Sequence, residues 1–186
     1  MRKIFSFIVT SADGYYESTD KGTDWHNVNA EFGEFASAQL DAADTMVFGR
    51  VTYEGMAAFW PTPAAKEAVP EMAERMNGIA KLVASRTLAS ADWSGTTLVS
   101  DDIAGALSAQ KQRPGKDIIV MGSANLTLNL MRAGVLDELR IMVFPIVLGE
   151  GRPMFGAPGD RVPLSLLEAR PFTSGNVLLR YQPEVR

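Results

Sequence analysis

The chain has 186 residues, of which 46% are hydrophobic and 22% charged, and its formal net charge is −4. Such a composition belongs to a globular chain with one substantial core rather than to a disordered or fibrous one, and the mildly acidic balance lacks the basic footprint of a nucleic-acid binder. Having no cysteine removes disulfides, thiolate metal sites and cysteine nucleophiles, and having a single histidine, His26, removes a multi-histidine metal centre.

Residues 4–10 are predicted as a buried strand, being β-branched and aromatic. This apolar run turns polar too early for a signal peptide, and no run approaches the ~20 apolar residues of a membrane span. The expectation is a soluble, cytoplasmic protein with no membrane partner. Ser11-Ala12-Asp13-Gly14 is a turn signal opening a polar loop to about Val28. Asn29 reads as the N-cap of a helix over 30–42, with Phe32, Phe35, Ala36, Leu40 and Ala43 at helical spacing. A short strand over 45–48 runs into Gly49-Arg50, and a helix over 52–59, with Thr52 as its cap, is stopped by Pro61 and Pro63. Residues 61–77 read as a surface segment with a short helix from Pro70.

Strands are predicted over 79–84 and 96–99, and a helix over 101–111 with two acids at its start. The continuously apolar 118–121 fits a central strand covered on both faces. It stops at Gly122-Ser123, and Leu126, Leu130 and Ala133 mark a helix closed by Gly134. A strand over 139–144 follows. The tail reads as two strands, 164–168 and 177–181, joined near Thr173-Ser174-Gly175. Met56, Met72, Met76, Met131 and Met142 read as core filler. The alternation predicts one α/β domain over residues 1–186, with a mostly parallel sheet, helices on both faces and a C-terminal antiparallel hairpin.

Three strand ends carry the candidate chemistry. Gly122-Ser123-Ala124 joins a buried strand to a helix start, where free backbone N–H groups suit an anion. Gly49-Arg50-Val51-Thr52 repeats the arrangement and adds a guanidinium suited to phosphate. Ser85-Arg86 follows the strand over 79–84. Ligands of open α/β sheets bind beyond the carboxyl ends of strands, and two arginines on separate loops favour NADP(H) over NAD(H).

These same residues carry a family resemblance. Gly49-Arg50-Val51-Thr52-Tyr53-Glu54 resembles the Gly-Arg-x-Thr-(Trp/Tyr)-Glu element of dihydrofolate-reductase-like proteins. Met121 to Ala124, Ala133 to Leu139 and Pro145 to Phe155 resemble the reductase domain of bacterial riboflavin biosynthesis. The resemblance implies a three-layer dihydrofolate-reductase-like fold, a small-molecule substrate, NADPH as cofactor, a homodimer, and cofactor-binding roles for Gly49, Arg50, Thr52, Ser85, Arg86, Gly122, Ser123 and Ala124. It implies reduction of a small heterocyclic or ribosyl-aminouracil-like substrate; the alternative is a nucleotide-binding protein of this fold without turnover.

The first-helix carboxylate of dihydrofolate reductases falls near Gly33 here, with Glu31 and Glu34 as the nearest acids and candidate catalytic groups. His26 and a bound water are further candidate proton donors, and Asp13 a weaker one. Asp13 either meets the cofactor's carboxamide region or holds its own turn, and Trp25 either faces substrate or packs on the core edge. Pro145 and Gly149-Glu150-Gly151 are expected to wall the mouth of the site.

Overall fold

The computed structural model describes residues 1–155 and 161–184. In chain order the elements are β1 (Ile4–Ser11), β2 (Tyr15–Glu17), α1 (Ala30–Asp41), β3 (Ala43–Gly49), α2 (Arg50–Phe59), α3 (Pro63–Ala68), α4 (Pro70–Gly78) and β4 (Ala80–Ala84). The second half has β5 (Thr96–Val99), α5 (Ile103–Lys111), β6 (Asp117–Val120), α6 (Ala124–Arg132), β7 (Glu138–Phe144), β8 (Arg152–Pro153), β9 (Leu164–Pro171) and β10 (Val177–Pro183).

One sheet runs β5-β4-β3-β6-β1-β7-β10-β9. Every pairing from β5 to β7 is parallel, and β10 lies antiparallel to both β7 and β9. Because successive strand residues face opposite ways, one apolar run feeds two cores. Ile4, Ile8, Val47, Ile118, Val120, Leu139 and Ile141 face α5 and α6, which contribute Leu107, Leu126 and Leu130. Phe5, Phe7, Met46, Phe48, Ile119, Met142 and Phe144 face the other way, toward Leu40 of α1, Tyr53 of α2 and Met76 of α4. The continuous apolar strands are therefore buried on both faces, and the predicted α/β architecture with its terminal hairpin is the one observed.

The differences from the sequence reading are local. α1 ends at Asp41, so the buried Ala43 opens β3 rather than extending the helical stripe. Gly49, not Thr52, stands at the N-cap of α2. The segment after Pro61 holds a helix, α3, capped by Thr62, whose hydroxyl accepts from the Ala65 N–H. α5 starts at Ile103, capped by the Asp102 carboxylate on the Gly105 N–H. β2 and β8 form a small antiparallel ribbon that places the Gly151-Arg152-Pro153 stretch against the loop after β1. Among the described residues no helix is long and apolar enough to cross a membrane.

Candidate functional site

The topology opens a crevice at one place. β3 and β6 are parallel neighbours, yet the helix after β3 packs on one face of the sheet and the helix after β6 on the other. Adjacent strands whose following helices leave to opposite faces part at their carboxyl ends. Two glycines make this junction close. The Gly49 N–H donates to the Gly122 carbonyl at 3.0 Å. A Cβ on Gly49 would stand 3.1 Å from the Ser123 hydroxyl, and one on Gly122 would stand 3.3 Å from the Thr52 hydroxyl. Gly122 also has φ +108°, a conformation side chains resist. Ser123 caps α6 by accepting from the Leu126 N–H. The first turns of α2 and α6 thus bring their free N–H groups and positive dipole ends to the same edge.

A cavity of about 530 Å³ opens beside this junction. Its floor is the sheet face carrying Phe7, Val9 and Ile119. One wall is α1, through Phe32, Gly33, Ala36 and Leu40; the other is α2 and α4, through Met56, Trp60, Met72 and Met76. Thr52 and the stretch Gly122-Ser123-Ala124 line the end nearest the helix starts. The spacing of Thr52, Met56 and Trp60 puts them on one face of α2, so this amphipathic stripe faces a space rather than solid core. Its polar side chains include Tyr16, His26 and Gln39. Burial lowers the His26 pKa, against a weaker opposing pull from Asp24. Burial likewise raises that of Tyr16, with Arg152 pulling the other way. Both groups are therefore neutral at pH 7. The Gln39 carbonyl oxygen accepts from Arg140.

The structure brings Gly49, Thr52, Gly122, Ser123 and Ala124 together at the crevice. Arg50 is the first residue of α2, exposed and 2.9 Å from the Glu54 carboxylate one turn on. Ser85 stands at the end of β4, its hydroxyl accepting from the Thr87 and Leu88 N–H groups, and Arg86 is exposed beside it.

The candidate acids sit elsewhere. Glu31 accepts from the Thr173 N–H at 2.8 Å and hydroxyl at 2.6 Å, which hold its carboxyl below the usual range. Glu34 is exposed, and neither lines the cavity; Gly33 does. Asp13 accepts from the Ser11 hydroxyl and from the N–H groups of Leu148 and Gly149, so it ties the β1 turn to the loop after β7. The Ser11 hydroxyl leads in lowering its pKa, burial opposes, and the two N–H groups assist. Trp25 is buried against Phe144 and His26, its indole N–H donating to the Gly22 carbonyl, and is absent from the cavity wall. Pro145 and Gly149 to Gly151 are also absent from that wall.

Sequence reasoning missed Tyr16, Gln39, Trp60 and the lining role of Met56 and Met72. Helical spacing does show which residues of α1 and α2 share a face, but not that the face borders a cavity.

A family model for the RibD C-terminal domain matches residues 2–178. The chain belongs to the RibD C-terminal domain family. The uncharacterised protein YyaP of Bacillus subtilis (strain 168) is 29% identical over 180 residues, covering 97% of this chain and 94% of that protein. Among solved structures, a Shewanella sp. PV-4 protein ascribed to riboflavin biosynthesis superposes with a TM-score of 0.74 at 21% identity, covering 98% of this chain and 99% of that one. Dihydrofolate reductase from Enterococcus faecalis, complexed with NADP(H), gives 0.64 at 14% identity, covering 98% and 96%. The fold of this chain is thus dihydrofolate-reductase-like, and its crevice lies where the two glycines meet.

Proposed function

We propose that the chain is an NADPH-dependent reductase of a small heterocyclic acceptor, the broad class that includes the ribosyl-aminouracil of riboflavin synthesis. The observation carrying this reading is the convergence of the α2 and α6 N-termini, through Gly49 and Gly122, on a cavity that can shelter a reacting ring. The residues fit the cofactor. The glycines leave the backbone bare where a pyrophosphate would approach, and the helix starts offer N–H donors to it. Arg50 and Arg86 stand at neighbouring strand ends, where the further phosphate of NADPH needs cations. When bound, NADPH supplies a hydride to the acceptor's double bond, which takes a proton as its second hydrogen and leaves NADP⁺. The chain's own part is to orient the two rings and exclude water, through Phe7, Phe32, Met56 and Trp60.

Trp60 on the cavity wall makes tryptophan quenching a direct readout of occupancy. NADPH should bind more tightly than NADH, and Arg50→Ala or Arg86→Ala should each weaken NADPH about tenfold, or 1.4 kcal/mol. Absence of binding by either nucleotide would overturn the proposal. One observation favours a second reading, nucleotide binding without turnover: no carboxylate lines the cavity among the described residues. NADPH consumption with a panel of heterocyclic acceptors separates the two.

A further inference from the structure

We infer that the acceptor this cavity takes is an uncharged, ring-bearing and largely apolar molecule, not a phosphorylated ribosyl pyrimidine. That the ligand is an acceptor rests on the reductase reading; its chemical class follows from the wall. None of the described residues lining the cavity is Asp, Glu, Lys or Arg. A phosphate or carboxylate carried by the acceptor between α1, α2 and α4, away from the helix starts that would meet the cofactor, loses its water and gains no opposite charge.

Two cations touch wall residues, and each is ion-paired with a carboxylate. Arg140 reaches Gln39 but is ion-paired with Glu138 at 2.6 Å. Arg152 lies beside Tyr16 but is ion-paired with Glu17 at 3.1 Å. The cations proposed to meet the cofactor, Arg50 and Arg86, lie outside the lining.

What the wall does offer is specific. Phe7, Phe32 and Trp60 present aromatic surfaces, and Met56, Met72 and Met76 present unbranched thioethers that adapt to flat rings. Gly33 leaves room in the middle of the α1 wall, since a Cβ built there meets nothing within 4 Å. Three neutral polar groups, Tyr16, His26 and Gln39, suffice to orient a carbonyl or ring nitrogen.

The test uses aminoanthracene, an uncharged fluorescent tricycle, titrated into the full chain with a parallel NADPH titration. Aminoanthracene should bind saturably. Gly33→Glu, which adds a charge to the wall at a helix position that accepts glutamate well, should weaken it by about tenfold or more. Gly33→Ala, which adds a methyl but no charge, should weaken it far less than Gly33→Glu. Met72→Glu, on the opposite wall, repeats the charge test should Gly33→Glu fail to fold. Ribose phosphate and ribosyl-aminouracil phosphate should not displace the probe.

Displacement by either phosphate, unchanged affinity in both glutamate variants, or no aminoanthracene binding would each overturn the inference while leaving NADPH binding intact. Normal aminoanthracene behaviour with no affinity for NADPH would instead overturn the reductase reading and leave a neutral-ligand site.

Discussion

Two regions on the same face of the sheet handle polarity in opposite ways, and they meet at Gln39. On one side lies the cavity, lined without a single charge among the described residues. On the other, at the β7–β10–β9 end, charge is buried outright. Glu138 is 3% exposed and accepts from the Arg140 guanidinium at 2.6 Å and from Arg180 at 2.5 Å. Arg180 also reaches Glu168 at 2.6 Å, and Arg140 lies 3.6 Å from the centre of the Phe5 ring. Buried ions persist when each is met by a partner of opposite sign with good geometry. The network therefore closes on itself and leaves nothing for a ligand. The cavity holds back all charge and leaves space. In this chain the buried charges are paired with one another, and the uncharged void is left open.

The largest effect should come from breaking the charged region. Glu138→Ala leaves the buried Arg140 guanidinium without a carboxylate and takes one of two from Arg180, and is expected to cost about 3 kcal/mol in urea unfolding. Glu138→Gln keeps an acceptor and should cost less. The pH dependence has a definite sign. Burial pushes the Glu138 carboxyl up, but hydrogen bonds from Arg180 and Arg140 and their charge outweigh it and bring its pKa from 4.5 to about 2. A carboxyl depressed on folding contributes stability that is complete above its unfolded value and fades as pH falls toward the folded one. The acid limb between pH 4.5 and about 2 should therefore be steep in the natural protein and flatter in Glu138→Gln. An acid limb of equal steepness in both would show that the network is not what the low pH destroys.

That network was invisible in the sequence. Glu138, Arg140, Glu168 and Arg180 become partners only once β7 pairs with β10 and β10 with β9. Strands and helices were more legible, because they declare themselves locally. The apolar run ending at Gly122 and the helical stripe of Phe32, Phe35, Ala36 and Leu40 both report burial through periodicity. Periodicity does not report what a face is buried against. The stripe on α1 covers a cavity in part, and Met56 and Met72 looked like filler for the same reason. The crevice was half legible: Gly49 and Gly122 stood out as strand-end glycines, but their proximity follows from β6 inserting between β1 and β3. The Asp13 turn could be read, while its acceptance of the Leu148 and Gly149 N–H groups depends on a loop far along the chain.

A smaller effect is expected at the border of the neutral region. Ser123 is both a wall residue and the cap of α6, so Ser123→Ala removes an acceptor for the Leu126 N–H. The loss should be about 1 kcal/mol in thermal or urea unfolding. If Ser123 also meets a cofactor phosphate, its affinity for NADPH should fall further than for Ser123→Thr, which keeps the hydroxyl. An equal fall in both would assign Ser123 to capping and packing alone.

The smallest effect carries the opposite sign. Gly33 lies inside α1, where glycine is costlier than alanine by roughly 0.5–1 kcal/mol because it loses more backbone freedom on folding. No left-handed backbone requires it, and an added Cβ would strike nothing. Gly33→Ala should therefore stabilise the protein by about that amount, read as a raised denaturation midpoint with an unchanged urea slope. A core glycine retained for packing would behave in the reverse manner, because a methyl forced into filled space destabilises. The gain forgone at Gly33 is consistent with a wall position held open for a ligand ring. If Gly33→Ala instead destabilises, the space beside α1 is filled in solution and the contrast between the charged and the uncharged regions loses its meaning.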